Sequence, residues 1–194
     1  MALTRLGPNQ AINLASNTTG TLGVANGGTG LTSGTSGQFL KFTGSTTVAS
    51  AAAGGKIGQI VFSQAADASY IGTNSSSYVT TGQSVTITPS ASSSKVQINV
   101  YTGRPYSSSQ SQSLAVNIYS SATSAYLGTG DNMALIRVNS ASGVLYSPFN
   151  IQWIDSPNTT SAVTYTPFMK SSSSYSYFAH EDSVWHIQAT EILA

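Results

Sequence analysis

Cysteine is absent from this sequence, which excludes a disulfide framework and any thiolate metal site. Charge is scarce as well: charged residues make up 7% of the chain, where globular proteins average about 25%. The seven Lys and Arg residues are spread along the sequence. Phosphate binding needs clustered basic side chains, so we expect no nucleic-acid partner.

Long apolar runs are missing too. No stretch approaches the roughly 20 residues that span a bilayer, so we expect no membrane insertion. A signal peptide needs an apolar segment after its basic residue, but Gly7 and Pro8 interrupt any such segment after Arg5. We therefore expect no secretory signal.

What the sequence does contain is small polar residues and enough apolar material for a core. Hydrophobic residues reach 40%, and the formal net charge is +1. A nearly neutral surface leaves little electrostatic repulsion between copies of the protein, which lowers solubility. Such a surface is tolerated when neighbouring subunits cover much of it. The composition therefore favours a component of an assembly.

Residues 1–55 form a low-complexity arm rich in Gly, Thr and Ser, with no charged residue between Leu6 and Leu40. A helix is disfavoured because each glycine costs about 1 kcal/mol there. Large apolar side chains are few, so the arm cannot offset its ordering entropy alone. We expect a neighbouring chain to hold the arm in an ordered conformation. The alternative is that the arm packs against the head of its own chain. The candidate attachment and oligomerisation anchors are Leu14, Leu22, Val24, Leu31 and Phe39.

Residues 56–194 alternate apolar and polar side chains with period two, which predicts half-buried strands. Val96, Ile98 and Val100 share one face, as do Leu114, Val116 and Ile118 and, further on, Ala134, Ile136 and Val138. Residues 144–154 are predicted as one strand, and in the last strand Glu191 interrupts an apolar stripe that includes Trp185 and Ile187. Turn-forming Ser, Gly and Asn clusters separate about eight such strands, and no helix is predicted. The expected fold class is all-β: an antiparallel, jelly-roll-like sandwich head behind an extended arm. The predicted outward positions are polar and uncharged, and they suit either a covered or a solvated face: Thr86, Gln97, Asn99, Asn117, Thr164 and Thr166.

One dense polar cluster occurs, His180-Glu181-Asp182, with His186 four residues beyond the aspartate. Two histidines and two carboxylates could ligate zinc. In a strand, however, residues four apart lie about 13 Å apart, so we expect a solvated turn that enters the last strand.

Catalytic motifs are also missing from the sequence. A Ser-His-Asp triad that used Asp131 or Asp155 would lack the G-x-S-x-G motif that presents the serine in many hydrolases. Glycosidases use a pair of carboxylates, and no such pair occurs here in a recognisable sequence setting. We therefore expect no enzyme activity, no catalytic residue, no cofactor and no metal.

Tyrosines gather near predicted strand ends and turns. Tyrosine joins a flat apolar face to a hydroxyl, which suits sugar stacking and protein interfaces alike. Packing at the sandwich edge is the alternative. The candidate receptor contacts are Tyr106, Tyr126, Tyr175 and Tyr177.

Two parts of the chain resemble known proteins. The arm sequence Gly20-Thr21-Leu22, followed by residues 24–33 with Gly27-Gly28-Thr29-Gly30, resembles a segment of bacteriophage tail-fibre and head-fibre (virion decoration) proteins. The head resembles the jelly-roll modules at the ends of such proteins, which are similar to the trimeric heads of complement and tumour-necrosis-factor proteins. The patches that carry this resemblance are residues 84–90, 94–98, 163–165 and 189–192.

The resemblance implies a homotrimeric structural protein of a virion assembled in the host cytoplasm. Its arm would attach to another virion protein of the tail, neck or capsid, and its head would project. The leading hypothesis is a fibre subunit. The alternatives are a capsid decoration (cement) protein and a carbohydrate- or receptor-binding module that contacts host surface glycan.

Overall fold

The computed structural model describes residues 29, 31, 34–45, 47–51, 56–68, 70–107, 112–128, 132–137, 145–172 and 174–193. The chain divides into two compact units, Met1–Gly54 and Gly55–Ala194. Within the described ranges, no helix is long and apolar enough to cross a membrane.

The described residues form strands and no helix. The strands are β1 (Phe39–Phe42), β2 (Val48–Ala51), β3 (Ile57–Ala68), β4 (Ile71–Thr73), β5 (Val79–Thr80), β6 (Val85–Ile87), β7 (Lys95–Thr102), β8 (Tyr106–Ser107), β9 (Ser113–Ser120), β10 (Ala125–Tyr126), β11 (Ala134–Arg137), β12 (Leu145–Tyr146), β13 (Phe149–Asp155), β14 (Val163–Ser171), β15 (Ser176–Ala179) and β16 (Ser183–Ile192).

The first unit contains the antiparallel hairpin β1–β2, in which Phe39 pairs with Ala51 and Phe42 with Val48. The Thr43 amide donates to the Thr47 carbonyl at 3.0 Å and closes the turn. Phe39, Leu40 and Phe42 are exposed in this hairpin.

The second unit is an antiparallel β-sandwich with non-sequential strand order, which confirms the predicted all-β, jelly-roll-like head. Sheet I has the order β13-β7-β16-β3. In sheet II, β9 and β14 lie at the centre, β10 and β11 pair with β9, and β5 and β6 pair with β14. The smaller sheet III has the order β12-β8-β15-β4. The extensive strands of sheets I and II are those that the alternating pattern predicts.

The core lies between the inner faces of sheets I and II. The predicted inward residues of β7 and β9 are buried, and they belong to one cluster with Trp185, Ile187 and Tyr165. Burying a large aliphatic side chain stabilises a fold by about 1.5–3 kcal/mol, so the burial of these residues favours the packing of the two sheets against each other. The strand phasing read from the sequence is therefore confirmed.

Two details of the strands differ from expectation. Residues 144–154, predicted as one strand, are divided between β12 in sheet III and β13 in sheet I. Pro148 lies between them and has no N–H to donate, so the ladder cannot continue through it. Val138, assigned from the sequence to the strand containing Ile136, lies outside the described residues.

Asn117 does not face solvent as predicted, because it is buried on the outer side of β9. Its Oδ1 lies 3.4 Å from the Gly128 amide nitrogen, which donates to it. Residues 127 and 128 fold back over the strand, since the Leu127 amide donates to the Ile118 carbonyl at 2.9 Å. This part of the sheet II surface is covered by the chain itself.

Glu191, which interrupts the apolar stripe of the last strand in sequence, is buried rather than solvated. Its carboxylate accepts bonds from Gln59 Nε2 at 2.9 Å and from the Ser90 amide and hydroxyl at 2.6 and 2.7 Å. Gly58 makes room for it, because a Cβ there would lie 2.7 Å from Glu191 Oε2. The carboxylate thus links β16 to β3 and to the segment before β7.

Candidate functional site

Sheet III carries a row of tyrosines across three strands. Tyr146 on β12 pairs with Tyr106 on β8, and Tyr106 pairs with Tyr177 on β15. Their ring centroids are 5.0 Å and 5.7 Å apart. Because paired residues on neighbouring strands point to the same side of a sheet, the three rings form one continuous surface.

Gly72 extends this row on β4, where it pairs with Tyr177. A Cβ at Gly72 would lie 2.5 Å from Tyr177 Cδ1 and 2.8 Å from Tyr175 Cε1. The two rings therefore rest directly over the β4 backbone, and their centroids are 5.1 Å apart. Any larger residue at this position would displace them.

His180 lies at the centre of the rings. Its centroid is 4.5 Å from Tyr106, 4.7 Å from Tyr70, 5.0 Å from Tyr177 and 5.9 Å from Tyr146. Its Nδ1 is buried and has no hydrogen-bond partner among the described residues. We call this surface the tyrosine face; it consists of Tyr70, Tyr106, Tyr146, Tyr175, Tyr177 and His180.

Charged groups of both signs border the tyrosine face. Arg104 lies over the Tyr146 ring, 5.0 Å from its centroid, and Arg104 Nη1 donates to the Glu181 carbonyl at 2.9 Å. The Tyr70 hydroxyl donates to the Glu181 carboxylate. This hydrogen bond is the main reason that the pKa of Tyr70 is raised to about 12.

Beneath the tyrosine face the inner side of sheet III is polar and closed. Gln112 is fully buried, and its Nε2 donates to Ser171 Oγ at 3.1 Å and to Ser176 Oγ at 2.9 Å. Ser176 Oγ in turn lies 3.4 Å from Ser107 Oγ. These bonds join β8, β14 and β15, so the strands that carry Tyr106 and Tyr177 are held from below.

The rings of the tyrosine face remain open to solvent. Tyr70, Tyr175 and Tyr146 are 52%, 47% and 44% exposed. Such a surface can stack against a flat, partly apolar ligand while hydroxyl, guanidinium and carboxylate groups bond to its polar edge.

Three of the four predicted receptor-contact tyrosines lie on this face, namely Tyr106, Tyr175 and Tyr177. Tyr126 lies in a separate aromatic cluster on β10, with its centroid 4.8 Å from Tyr78 and 5.5 Å from Phe168. Burial raises the pKa of Tyr126, and the neighbouring Tyr119 adds to the shift. The role of all four in receptor contact stays a prediction.

The outer face of sheet I has a different chemistry. Cross-strand pairing places twelve of its outward side chains in three rows of four, and none of these twelve is Asp, Glu, Lys or Arg. Lys95, exposed at the start of β7, lies beyond the first row, where it pairs with Ile192. We call this surface the neutral face; its rows are Ile60, Thr190, Gln97 and Ile154; Phe62, Gln188, Asn99 and Gln152; and Gln64, His186, Tyr101 and Asn150.

Apolar side chains stand out on the neutral face. Phe62 is 65% exposed, and Ile60 and Ile154 are more than half exposed at opposite edges of the sheet. His186 stacks on Tyr101 at 5.7 Å. The predicted outward residues Gln97 and Asn99 lie between the edges, so this surface is both uncharged and partly apolar.

The predicted arm anchors are only partly covered by the structure. Leu14, Leu22 and Val24 lie outside the described residues. Leu31 is half-buried and Phe39 is exposed on β1. Their role in attachment stays a prediction.

The polar cluster near the last strand divides between the two faces. His180 and Glu181 belong to the tyrosine face and its border, whereas His186 lies on the neutral face. Asp182 is exposed, with φ of 52°, at the turn before β16. Among the described residues, no group of three or more His, Cys, Asp or Glu could hold a metal ion.

Asp155, considered above as a triad member, is a buried core residue. It accepts a 2.8 Å hydrogen bond from the Tyr165 hydroxyl. Burial raises the pKa of Tyr165, and the bond to Asp155 raises it further. The pair fixes the packing between the sheets.

Sequence reasoning missed Tyr70, Arg104, Tyr146 and His180 as members of one surface. The strands of sheet III that bring them together are two to four residues long. Segments of that length show no periodicity, so the only available signal was the high density of tyrosine next to serine-rich turns.

No family model matches this chain, and no curated protein matches its sequence. Among solved structures, the chain is similar to the crystal structure of the VP2 subviral particle of infectious bursal disease virus, with a TM-score of 0.44 and 14% sequence identity. The alignment covers 79% of this chain and 37% of that chain, so this chain spans little more than a third of the solved protein. A similarity at this level assigns the chain to no family and no function.

Proposed function

We propose that this chain is a structural subunit of a bacteriophage particle, a trimeric fibre protein attached through residues 1–55 and projecting its sandwich head. The observation that carries the proposal is the neutral face of sheet I. Its three rows offer copies of the chain a surface on which they can meet without burying a charge, with Lys95 left at the margin.

The physical reason lies in what burial would do to each kind of side chain. Covering Ile60, Phe62 and Ile154 removes apolar surface from water, which favours association. Covering Gln or Asn requires that hydrogen bonds be remade, but it avoids the larger penalty of an unpaired ion. Depletion of Asp, Glu and Lys is also the compositional mark of the buried centre of protein interfaces.

Trimer formation is supported by the resemblance of the head patches to trimeric heads and by the net charge of +1, which leaves little repulsion between copies. The mass of the full chain in solution tests it. We expect three times 20.0 kDa at micromolar concentration. A stable monomer at that concentration would contradict self-association.

Phe62→Asp should separate the copies. Phe62 lies in the middle row of the neutral face, and the variant removes its apolar surface and places like charges at the contact. We expect association to weaken by at least about a hundredfold, which corresponds to roughly 2.7 kcal/mol. Analytical ultracentrifugation of the full chain measures the change.

The matched control is Leu135→Asp. Leu135 is 48% exposed on β11, in sheet II, and should tolerate the same substitution without loss of association. An unchanged trimer in Phe62→Asp, or equal dissociation in the control, would remove the neutral face from the interface.

Attachment should depend on the arm. A chain that begins at Lys56 retains the alternating apolar pattern and should be soluble and β-rich, yet it should fail to join the particle. Leu22→Asp and Leu31→Asp should lower incorporation, because each removes one of the few apolar anchors. Quantitative gel analysis of purified particles measures occupancy; normal occupancy of the truncated head would rule out the arm as the anchor.

Immunogold labelling of particles distinguishes the two structural roles. Label at the tail or neck corresponds to a fibre subunit, and label distributed over the capsid corresponds to a decoration protein.

A further inference from the structure

We infer that the tyrosine face is a carbohydrate-binding site for a neutral, linear oligosaccharide. This assignment does not require self-association, since the face lies on sheet III and the neutral face on sheet I.

The first support is the shape of the aromatic surface. Tyr146, Tyr106, Tyr177 and Tyr175 follow one another with centroid separations of 5.0, 5.7 and 5.1 Å. The row crosses the sheet rather than closing around a cavity. An extended ligand with repeated flat faces can lie along such a row, and the C–H faces of pyranose rings are flat and apolar.

The second support is that every side chain of the face ends in a polar group. Its members are tyrosines and a histidine, and Arg104 and Glu181 border them; among the residues that the structure describes, no aliphatic side chain belongs to it. The neutral face, by contrast, exposes Phe62 and Ile154. A ligand with hydroxyl groups around an apolar ring face matches the tyrosine face, whereas an apolar protein partner matches the neutral face better.

The third support concerns charge. A cation, Arg104, and an anion, Glu181, meet at the border and are joined through the Glu181 carbonyl. Asp182, exposed next to Glu181, also acts on Tyr70 and adds a second carboxylate, so the border carries both signs and an anionic polymer in particular gains no net attraction. Arginine has five N–H donors, and a carboxylate has two acceptor oxygens, so both can bond to sugar hydroxyls.

The face is also held in place by contacts beneath it. Bonds from Gln112 hold β14 and β15 from below, and Gly72 lets the Tyr175 and Tyr177 rings rest on the β4 backbone. Preorganised groups lose less conformational entropy when a ligand binds.

The test uses the full chain and a panel of linear oligosaccharides of glucose, galactose, mannose and N-acetylglucosamine, with sialylated lactose as the acidic member and a proline-rich peptide as the non-sugar member. Titrations followed by NMR report both affinity and the tyrosine ring signals that move. We expect at least one neutral oligosaccharide to bind with Kd near or below about 1 mM.

Tyr146→Ala and Tyr175→Ala should each weaken that binding about tenfold, because each removes an exposed ring from the row. Tyr126→Ala, an exposed tyrosine outside the tyrosine face, should leave affinity within about twofold. Gly72→Ala keeps every polar and aromatic group but displaces two rings, so it should weaken binding and change the near-ultraviolet circular dichroism. Far-ultraviolet circular dichroism confirms that each variant is folded.

Three results would overturn the assignment. One is that no neutral oligosaccharide binds at about 10 mM. Another is that only sialylated lactose or the proline-rich peptide binds. The third is that Tyr126→Ala lowers affinity as much as Tyr146→Ala does, which would place the ligand on the other aromatic cluster.

Discussion

Ile98→Asp should abolish folding of the sandwich head. Ile98 is completely buried on β7, where it belongs to the core between sheets I and II. A carboxylate there has no partner to compensate for the loss of water, and such changes lower the free energy of unfolding by more than about 4 kcal/mol. Domain stabilities are about 5–15 kcal/mol, so most of the native population should be lost. Circular dichroism and thermal melts of the soluble protein measure it.

Gln97→Asp is the matched control, one residue away on the outer face of the same strand. It introduces the same group at a half-exposed position, and we expect the unfolding free energy to change by about 0.5 kcal/mol or less. Because Gln97 lies on the neutral face, the readout is unfolding rather than association. Equal destabilisation by the two variants would mean that the strand phasing is wrong.

Glu191→Gln should destabilise the head by about 2–3 kcal/mol. The variant keeps the size of the side chain but replaces an acceptor oxygen with an amide, which leaves Ser90 or Gln59 without its buried acceptor. Chemical denaturation of the full chain gives the difference. Asp182→Asn is the control, because Asp182 is exposed and Asn tolerates its positive φ equally well.

Glu191 should also make stability depend on pH. Burial by itself raises the pKa of this carboxyl, but the hydrogen bonds from the Ser90 hydroxyl, Gln59 and the Ser90 amide outweigh burial and lower the pKa from 4.5 to about 2. A carboxyl whose pKa is lower in the folded state than in the unfolded state adds its full contribution to the free energy of unfolding at any pH above its unfolded pKa. Its contribution is lost as the pH falls from 4.5 to about 2. Wild-type stability should therefore decline more steeply over this range than that of Glu191→Gln; parallel declines would contradict the role of the buried carboxylate.

The fold of the head followed from side-chain alternation because strands pair over long, regular stretches. Val96, Ile98 and Val100 repeat with period two, and the same period places Leu114, Val116 and Ile118 inward on β9. Alternation fixes which face is apolar, and the apolar face must be buried, so sequence was sufficient to identify the core.

The same alternation did not predict the environment of individual polar residues. Asn117 lies at a predicted outward position, but the chain at Leu127 and Gly128 folds over it. Glu191 was expected to interrupt the stripe of the last strand, but Ser90 and Gln59 surround its carboxylate. In both cases the decisive neighbours are remote in sequence or belong to a turn, and local periodicity contains no information about them.

By itself the sequence determined that the head is an all-β sandwich, which strands supply its core, and that little charge remains for its surfaces. Only the tertiary structure decided which surfaces exist. Tyr70, Tyr106, Tyr146 and Tyr177 come from segments separated by up to about a hundred residues, and short strands of sheet III place them side by side. The cross-strand register likewise gathers Phe62, Gln188, Asn99 and Gln152 into one uncharged row. The reason is physical: a side chain's own strand sets the face on which it lies, but only hydrogen-bonded pairing between strands sets its neighbours.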